Sequence, residues 1–300
     1  MASRIGVCAV VVAYYPGTDF QNGLDNILHQ VDVLVVVDNT SDGPFKKALE
    51  ARLADVKGIH FVANPTNLGV AAALNQGLNK ASQLGCDWLL TLDQDSRCYP
   101  DMVQTLLSVK AACVPPPTVI GGNYLDTRNK RMKVPLGTVG EFFDQKTVIT
   151  SGCLVEVSSA QSIGGFREDY FIDQLDHEFC LRVRGHGGRV VISRKPVMEH
   201  SVGEADGAWL PLLGYLPNHS VIRKYYVARN SLVTIARYWR TEPDWCLRRL
   251  IRLTLGFLLL ATLERQSLAK VRAFAAGVAD AVMGRMGKCR HNWLELARGD

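Results

Sequence analysis

The sequence predicts an α/β protein built on a Rossmann-like sheet. Strongly apolar runs typical of buried strands, at residues 5–14, 31–37, 58–62 and 88–92, alternate with helical patterns at 20–30, 44–54 and 67–84. Strands separated by helices at this spacing form βαβ units, which places the strands side by side and parallel. The chain has 300 residues, of which 47% are hydrophobic and 21% are charged, so it is long and apolar enough for a sizeable core.

Each element is supported by its own residues. The first strand is a run of small and β-branched apolar residues that stops at a Tyr-Pro-Gly turn. The helix after it has apolar residues at Leu24, Ile27 and Leu28, which share one face. The second strand ends at a polar pair, and the helix at 67–84 again has apolar residues at intervals of three and four. The fourth strand stops abruptly at Asp93.

Polar residues follow every one of these predicted strands. The carboxyl ends of the strands in a doubly wound sheet converge on one crevice, where ligands bind. The fourth strand ends in Asp93 and Asp95, two carboxylates one residue apart. Oxygen ligands of this kind suit Mg²⁺ or Mn²⁺, which bridge carboxylates to substrate phosphates. A solvated turn rich in aspartate is the alternative interpretation, because turns favour this residue.

Cysteine and charge distribution narrow the class of protein. The eight cysteines are scattered without a C-x-x-C pair, and no secretory signal precedes the first strand, so we expect reduced thiols in a cytoplasmic protein. From residue 246 onward there are ten basic and four acidic residues, against a net charge of +5 for the whole chain. Such a basic region indicates an anionic partner, namely a membrane surface, nucleic acid or a phosphorylated substrate.

Four stretches together resemble a known enzyme family. They are Val-Val-Ala-Tyr-Tyr-Pro at 11–16, Val-Val-Asp-Asn at 36–39, Asn-Leu-Gly-Val-Ala-Ala-Ala-Leu-Asn-Gln-Gly at 67–77 and Leu-Asp-Gln-Asp at 92–95. In this order they resemble the inverting family 2 glycosyltransferases and, within them, the bacterial dTDP-rhamnosyltransferase branch, over residues 5 to 240. The resemblance implies a GT-A fold, a Rossmann-like domain with a mixed central sheet, here followed by C-terminal helices.

The resemblance also implies which residues bind the sugar donor and a metal ion. The implied donor-binding and nucleotide-binding residues are Ala13, Tyr14, Asp38, Asn67, Gly69, Asp93, Gln94 and Arg229. The implied ligands of Mn²⁺ or Mg²⁺ are Asp95 and His200. Asp38 at a strand end could accept a hydrogen bond from a pyrimidine imide, although a turn-capping aspartate is the alternative. Arg229 could hold a phosphate bidentately, and His219 and Arg223 are further phosphate candidates.

A second acidic constellation lies at residues 171–182. The family motif is commonly Glu-Asp-x-Asp-x-x-x-Arg, and alignment on Arg182 places Asp176 at the position of the catalytic base. Leucine replaces the first acid and Glu178 replaces the last, so the match is imperfect. Inverting sugar transfer needs a carboxylate that removes the acceptor hydroxyl proton. Asp173 and Glu178 are rivals for that role, and an acidic first turn that pairs with arginine is the structural alternative.

The remaining expectations concern domains, partners and substrate. We expect a glycosyltransferase domain at 1–240 and a basic, apolar helical region at 241–300, whose apolar core is too short to span a membrane. The two predicted helices at 245–263 and 266–286 suit either a membrane surface, at the inner face of the cell membrane, or a homodimer. Nucleic acid is not expected as a partner.

The resemblance implies an inverting enzyme that transfers L-rhamnose from dTDP-L-rhamnose to a saccharide or polyprenyl-linked acceptor in surface polysaccharide (O-antigen) synthesis. A transferase that uses a UDP-sugar, such as a galactosyl or galactofuranosyl donor, is one alternative. A non-catalytic, membrane-associated nucleotide-sugar-binding scaffold is another. A nucleotidyltransferase is disfavoured, because such enzymes usually have a Gly-rich loop after the first strand and this chain has Ala-Tyr-Tyr-Pro-Gly at that place.

Overall fold

The computed structural model describes residues 6–54, 56–127, 130–135, 140–200, 204–210, 214–263 and 267–296. The strands are β1 (Val7–Ala13), β2 (Val33–Asp38), β3 (Ile59–Ala63), β4 (Trp88–Asp93), β5 (Arg97–Cys98), β6 (Val119–Asp126), β7 (Arg131–Met132), β8 (Phe142–Asp144), β9 (Cys153–Glu156), β10 (Val190–His200), β11 (Glu204–Leu210) and β12 (Gly214–Asn218). The α-helices are α1 (Phe20–Leu28), α2 (Gly43–Ala54), α3 (Val70–Gln83), α4 (Met102–Ala112), α5 (Val157–Ser162), α6 (Leu175–Gly185), α7 (Val221–Tyr238), α8 (Pro243–Leu263), α9 (Ser267–Val282) and α10 (Asn292–Leu296). A short 3₁₀ turn covers Glu168–Tyr170.

The central sheet has the strand order β3-β2-β1-β4-β9-β6-β10-β5, with β7 beside β6 and β8 beside β10. The pairs β3-β2, β2-β1, β1-β4 and β6-β10 are parallel, whereas β9 and β5 pair antiparallel to their neighbours. The prediction of a mixed, Rossmann-like sheet followed by C-terminal helices is therefore confirmed. The register pairs Val12 with both Val37 and Asp93, and Ala13 with Asp38, so three parallel strands end at one level.

Close packing of α3 against β1 holds this edge of the sheet. The inward residues of β1, β2 and β4 are almost all buried. A Cβ atom on Gly77 of α3 would overlap the side chain of Val10, so only glycine allows the helix to approach the strand this closely. The helix begins at Gly69, whose φ of 91° is a conformation that glycine adopts without steric cost.

The chain forms two compact units. The first contains Met1–Arg167 and Phe179–Ser201, and the second contains Glu168–Glu178 and Val202–Asp300. This division differs from the predicted boundary at residue 240, because α7 packs against α8 and α9 and not within the sheet unit. The contact between α7 and α9 is close enough that a Cβ atom on Gly277 would overlap the carbonyl oxygen of Tyr225. The glycosyltransferase region at 1–240 stays a prediction about function.

Three further features describe the fold. The antiparallel hairpin of β11 and β12 was not predicted. All eight cysteines are free and buried, and burial raises the pKa of the Cys8 and Cys98 thiols to about 12. Among the helices that the structure describes, none combines the length and the apolar character needed to cross a bilayer.

Candidate active site

A cluster of two carboxylates and an imidazole lies at the carboxyl ends of β4 and β10. Asp93 is the last residue of β4, Asp95 follows two positions later, and His200 is the last residue of β10. One potential ligand atom from each of the three lies within 4.8 Å of the other two. Atom Nε2 of His200 is 4.0 Å from Oδ2 of Asp93. The structure therefore brings Asp95 and His200, the two implied metal ligands, together with Asp93, whose carboxylate next to Asp95 already suited a divalent cation in the sequence.

The geometry of this cluster fits a divalent cation. Two ligands held about 2.1 Å from one octahedral ion lie about 3.0 Å apart when adjacent and about 4.2 Å apart when opposite. The separation of 4.0 Å between His200 and Asp93 is too long for a hydrogen bond but falls inside that range. The ring of His200 is more than nine-tenths buried, and its Nδ1 atom has no hydrogen-bond partner. Asp95 is exposed, which leaves one side of the cluster open to substrate phosphates.

A cavity of about 680 Å³ opens beside the cluster. Its wall includes Asp95 and His200 together with Gln94, and the other lining residues come mainly from α1 and from the segment around β5. Six of the thirteen lining residues have side-chain amides or carboxylates, and such groups exchange hydrogen bonds with hydroxyl-rich ligands. A cavity with these groups and two potential metal ligands in its wall is suited to a charged, hydroxylated small molecule.

Asp38 is the last residue of β2, and only one of the two oxygens of its fully buried carboxylate has a hydrogen-bond partner. Its Oδ1 atom accepts a hydrogen bond of 2.9 Å from the backbone N–H of Thr40, whereas Oδ2 has no hydrogen-bond partner. A buried acceptor without a donor is costly, and native proteins rarely leave one without a functional reason. A ligand N–H group could supply the missing hydrogen bond. Turn capping, the alternative weighed for Asp38 above, therefore accounts for only one of the two oxygens.

An amide network joins the ends of β2 and β3 to the start of α3. Asn39 donates from Nδ2 to the carbonyl of Gly69 at 3.0 Å, and its Oδ1 accepts from Asn64 at 2.9 Å. Asn64 and Gln76 exchange a further pair of hydrogen bonds. The helix begins at Gly69 with no side-chain cap, and Asn67 instead accepts the N–H of Gly69 at 2.9 Å. The network fixes the loop before α3, a role the sequence did not indicate for these amides.

The segment after β1 is tied to the same edge. The backbone N–H of Tyr14 donates to Oε1 of Gln94 at 2.7 Å, so the strand ends of β1 and β4 are joined by a side chain. Ala13 is buried and its carbonyl accepts the N–H of Asn39 at 2.8 Å, which leaves no side-chain surface for a ligand. Tyr14 is exposed, and its ring makes a T-shaped contact with the ring of Tyr15, with the centroids 4.8 Å apart. Of these predicted donor contacts, Tyr14 has an exposed side chain, and Gln94 lines the cavity that also contains Asp95 and His200.

The second unit contains the three carboxylates proposed as bases. Asp173 makes a bidentate ion pair with Arg223, with contacts of 2.5 and 3.1 Å. Burial raises the pKa of this carboxyl, but the charge and hydrogen bonds of Arg223 outweigh burial and hold the pKa below its usual range. Glu178 is fully buried and accepts a hydrogen bond from Tyr238 at 3.0 Å. Asp176 is only partly buried and accepts the N–H of His177 at 2.8 Å.

Arg249 and His219 interact electrostatically with two of these carboxylates, Asp173 and Asp176. Arg249 donates from Nε and Nη2 to the hydroxyl of Ser231, and burial lowers its pKa to about 10 while the charge of Asp176 opposes that shift. The pKa of His219 is lowered to about 4, first by burial and second by the positive charge of Arg223. Atom Nδ1 of His219 has no hydrogen-bond partner. Arg249 was noticed in the sequence only as part of a basic helix.

Arg229 does not serve as a donor contact in this structure, which corrects the prediction. The side chain is completely buried, and its guanidinium donates to the carbonyls of Gly287, Asp169 and Tyr170, to the hydroxyl of Tyr225 and to the side chain of Asn230, at 2.7 to 3.3 Å. A guanidinium has five N–H donors. All five are engaged within the protein, so none is left for a phosphate.

The backbone before α6 has an unusual conformation. Phe171, Asp173 and Gln174 have φ angles of 65°, 62° and 66°, in the left-handed region that residues other than glycine rarely adopt. Each such residue costs on the order of 1–3 kcal/mol, and clusters of them occur at functional sites. Residues 169–174 are called the left-handed segment below. Sequence reasoning could not find it, because none of these positions is a glycine.

Three comparisons with known proteins agree with this geometry. A family model described as "Glycosyl transferase family 2" matches residues 8–164. The chain is 25% identical over 299 residues to "dTDP-rhamnosyl transferase RfbF" of Shigella flexneri, which covers 95% of this chain and 98% of that protein. The chain is thus similar to this transferase along almost its whole length.

Solved structures are similar in fold. The crystal structure of S. aureus TarS 1-349 superposes with a TM-score of 0.61 and 12% identity, covering 93% of this chain and 82% of that one. The structure of GalNAc-T7 with UDP, GalNAc and Mn²⁺ gives a TM-score of 0.60 and 13% identity, covering 94% of this chain and 57% of that one. These likenesses confirm the predicted GT-A fold.

Proposed function

Because the chain belongs to glycosyl transferase family 2, we propose that this glycosyltransferase uses dTDP-L-rhamnose and inverts the anomeric centre as it transfers the sugar. The observation that carries the proposal is the set of polar groups at one edge of the sheet. The cluster of Asp93, Asp95 and His200 lies at the ends of two strands, and the unsatisfied Oδ2 of Asp38 lies at the end of a third. The similarity to a dTDP-rhamnosyl transferase over 95% of the chain supports the choice of donor. The acceptor we propose is a saccharide or a lipid-linked saccharide of a bacterial surface polysaccharide.

The residues divide the work of donor binding. Asp38 accepts the imide N–H of the thymine ring through Oδ2, which then has the partner it lacks. Gly69, with no Cβ, and the N-terminus of α3 favour the approach of an anionic group. Asp93, Asp95 and His200 hold Mn²⁺ or Mg²⁺, and the ion when bound neutralises charge on the departing diphosphate. Gln94 keeps the segment after β1 in place through its contact with Tyr14.

Asp176 is the proposed general base. The acceptor hydroxyl oxygen forms a bond to the anomeric carbon while the bond from that carbon to the diphosphate breaks, and Asp176 takes the hydroxyl proton. The contacts of its two rivals support this choice. An aspartate paired with Arg223 and with a lowered pKa is a weak base, and Glu178 is buried and hydrogen-bonded to Tyr238.

We also propose that α8 rests on an anionic membrane surface, where a lipid-linked acceptor would be presented. Leu247, Leu250, Ile251 and Leu258 are 36 to 52% exposed and follow one face of the helix. The exposed Arg248 lies next to this stripe. An apolar face flanked by basic side chains binds the interface of bilayers with anionic lipids.

Vesicle flotation tests this surface. The protein is expected to float with phosphatidylglycerol vesicles and not with purely zwitterionic ones, and Ile251→Glu is expected to abolish flotation. Leu84→Glu, at a similarly exposed apolar residue of the first unit, is the matched control and should float normally. The alternative outcome is that the protein floats with neither vesicle type, sediments as a dimer, and becomes a monomer in Ile251→Glu. That outcome would show that the apolar stripe of α8 is a subunit contact.

The donor is tested by calorimetric titration with dTDP, UDP and GDP, each with and without Mn²⁺ or Mg²⁺. Metal-dependent binding of dTDP in preference to the others is expected, followed by turnover of dTDP-L-rhamnose. Preference for UDP would contradict the rhamnose assignment in favour of a UDP-sugar. Binding of dTDP without turnover of any sugar would favour a non-catalytic scaffold.

A further inference from the structure

We propose that Asn230, together with Arg229, is a positioning residue that holds the left-handed segment and thereby orients the carboxylates at the start of α6. This inference rests on the proposed role of Asp176 as the base. It assigns to the Arg-Asn pair of α7 a role different from the phosphate binding that the sequence suggested. Neither residue touches substrate in this proposal, so both act through the segment.

The contacts of Asn230 are concentrated on this segment. The side chain is fully buried, and its Nδ2 atom lies 3.0, 2.8 and 2.9 Å from the carbonyl oxygens of Tyr170, Ile172 and Asp173. The two N–H groups of one amide are thus shared among three carbonyls within four consecutive residues. Arg229 adds contacts to the carbonyls of Asp169 and Tyr170. Together the two side chains contact four of the six backbone carbonyls of the segment.

The amide orientation of Asn230 is determined by its surroundings. Its Oδ1 atom accepts a 2.9 Å hydrogen bond from Nε of Arg229, so the NH₂ group must face the carbonyls. An aspartate at this position would place negative charge against three acceptors. An alanine would remove the Asn230 donor from the carbonyls of Ile172 and Asp173, while the carbonyl of Tyr170 would keep its contact with Arg229, and loss of a donor to a buried carbonyl is costly. The chemistry of the site therefore requires an amide.

Arg229 is itself held in place from the other side. Its guanidinium carbon lies 5.3 and 5.0 Å from the ring centroids of Tyr225 and Tyr226. The hydroxyl of Tyr225 donates to Asp280 at 2.7 Å, which ties the arrangement to α9. Phe171 stacks on Tyr226 with centroids 5.3 Å apart, so the segment also packs on α7. Arg229 is therefore a buried residue that the side chains around it hold in place, and not an exposed arginine.

The left-handed segment needs such a support because its backbone is unfavourable by itself. Phe171, Asp173 and Gln174 occupy a region that sterically disfavours side chains, and no glycine relieves them. Once the carbonyl contacts are lost, these residues relax toward ordinary φ values. A change of backbone direction at Gln174 would redirect the first turn of α6, which begins at the next residue and includes Asp176. A misplacement of about 1 Å in a reacting group can lower a rate by about 10²-fold.

The test compares Asn230→Ala with Ile235→Ala, a control on the same helix at a buried side chain outside the apolar cluster that contains Phe171. For wild type and both variants, four quantities are measured: amide hydrogen exchange over residues 168–178, kcat, the KM for the donor and the unfolding temperature. For Asn230→Ala we expect exchange in this stretch to rise, kcat to fall by about 10²-fold and donor KM to change by less than about twofold. The control should lower the unfolding temperature comparably while it leaves kcat within about twofold of wild type.

Substitutions within the segment provide a second, independent arm. Gln174→Gly removes the steric cost of a positive φ, so in the background of Asn230→Ala it should restore at least about tenfold of the lost kcat. Gln174→Val, which disfavours the left-handed region, should reproduce the loss of kcat without any change on α7. Because Gln174→Val leaves α7 unchanged, it tests the segment even if Asn230→Ala fails to fold, and an unchanged kcat in Gln174→Val would overturn the inference.

Three further results would overturn the inference: unchanged exchange over 168–178 in Asn230→Ala, raised exchange with an unchanged kcat, or an equal loss of kcat in the Ile235→Ala control. Failure of the proposed function has a different signature, because the wild-type protein itself would then transfer no sugar. In that case the exchange data still test whether Asn230 holds the segment, and unchanged exchange would still refute it.

Discussion

The sheet edge of the first unit and the left-handed segment of the second owe their backbone conformations to different kinds of contact. At the sheet edge Ala13, Asp38 and Asp93 end regular β-strands, and the parallel register brings them to one level. In the segment three residues have unfavourable φ angles, and side chains from a distant helix hold them. The first arrangement follows from local patterns, whereas the second exists only after long-range contacts have formed.

The two regions also differ in which polar groups are left unsatisfied. The sheet edge keeps two buried atoms without a partner, Oδ2 of Asp38 and Nδ1 of His200. In the segment the carboxylate of Asp173 is fully paired with Arg223 and the carbonyls of Ile172 and Asp173 have the Asn230 amide, but Oε1 of Gln174 is buried without a partner. A buried unsatisfied atom therefore does not by itself distinguish the two regions. They differ because the unsatisfied atoms of the sheet edge belong to a carboxylate and an imidazole at strand ends, whereas the Asp173 carboxylate of the segment is paired.

Substitution of the proposed base gives the largest expected effect. Asp176→Asn keeps the size of the side chain but cannot take up a proton, so kcat should fall by about 10³- to 10⁴-fold. Binding of dTDP with Mn²⁺, measured by calorimetry, should stay within about twofold of wild type. If Asp176→Asn had the same kcat as wild type, the base would have to be another carboxylate, and the proposed link between the left-handed segment and catalysis would be contradicted.

Removal of a metal ligand should have the next largest effect, and at the other region. Asp95→Ala should weaken dTDP binding in the presence of Mn²⁺ by about 10²- to 10³-fold, because an ion that offsets the diphosphate charge contributes several kcal/mol. Binding without metal should be nearly equal in variant and wild type. Chelation of the metal should reproduce the loss in the wild-type protein, and chelation without any effect would contradict a metal at this cluster.

Stability should depend on pH through His219. Its pKa is lowered to about 4 in the folded protein, so the unfolded chain binds more protons between pH 4 and its ordinary value near 6.5. The free energy of unfolding should therefore fall by up to about 3 kcal/mol as the pH decreases across this window, and it should be fully retained above it. Urea unfolding at pH 7 and pH 5 should show a smaller difference in His219→Gln than in wild type, and an identical pH slope in both would refute a buried neutral imidazole.

The smallest expected effect concerns the base of the nucleotide. Asp38→Asn replaces a charged acceptor by a neutral one, and dTDP affinity should fall by about tenfold. Affinity for inorganic diphosphate with Mn²⁺ is the control and should not change, because that ligand has no imide. Equal losses for both ligands would show that Asp38 supports the loop and does not recognise the base.

Much of the sheet edge and the helices α8 and α9 could be predicted, whereas the contacts around the left-handed segment could not. The strands up to Asp93 were visible as apolar runs, and their polar ends marked Asp38, Asp95 and, much later, His200. The role of Arg229 was misassigned, because a sequence shows that an arginine is present but not that five acceptors surround it. The left-handed segment had no signal at all.

By itself the sequence determined the alternation of strands and helices, the family and the polar residues at the strand ends. These follow from hydrophobic patterns between near neighbours, which a linear chain displays directly. Only the tertiary structure decided which polar groups are open to a ligand and which are closed, as Asp38 and Arg229 show. It also decided the backbone before α6, because Asn230 and Tyr170 are 60 residues apart and interact only in the folded chain.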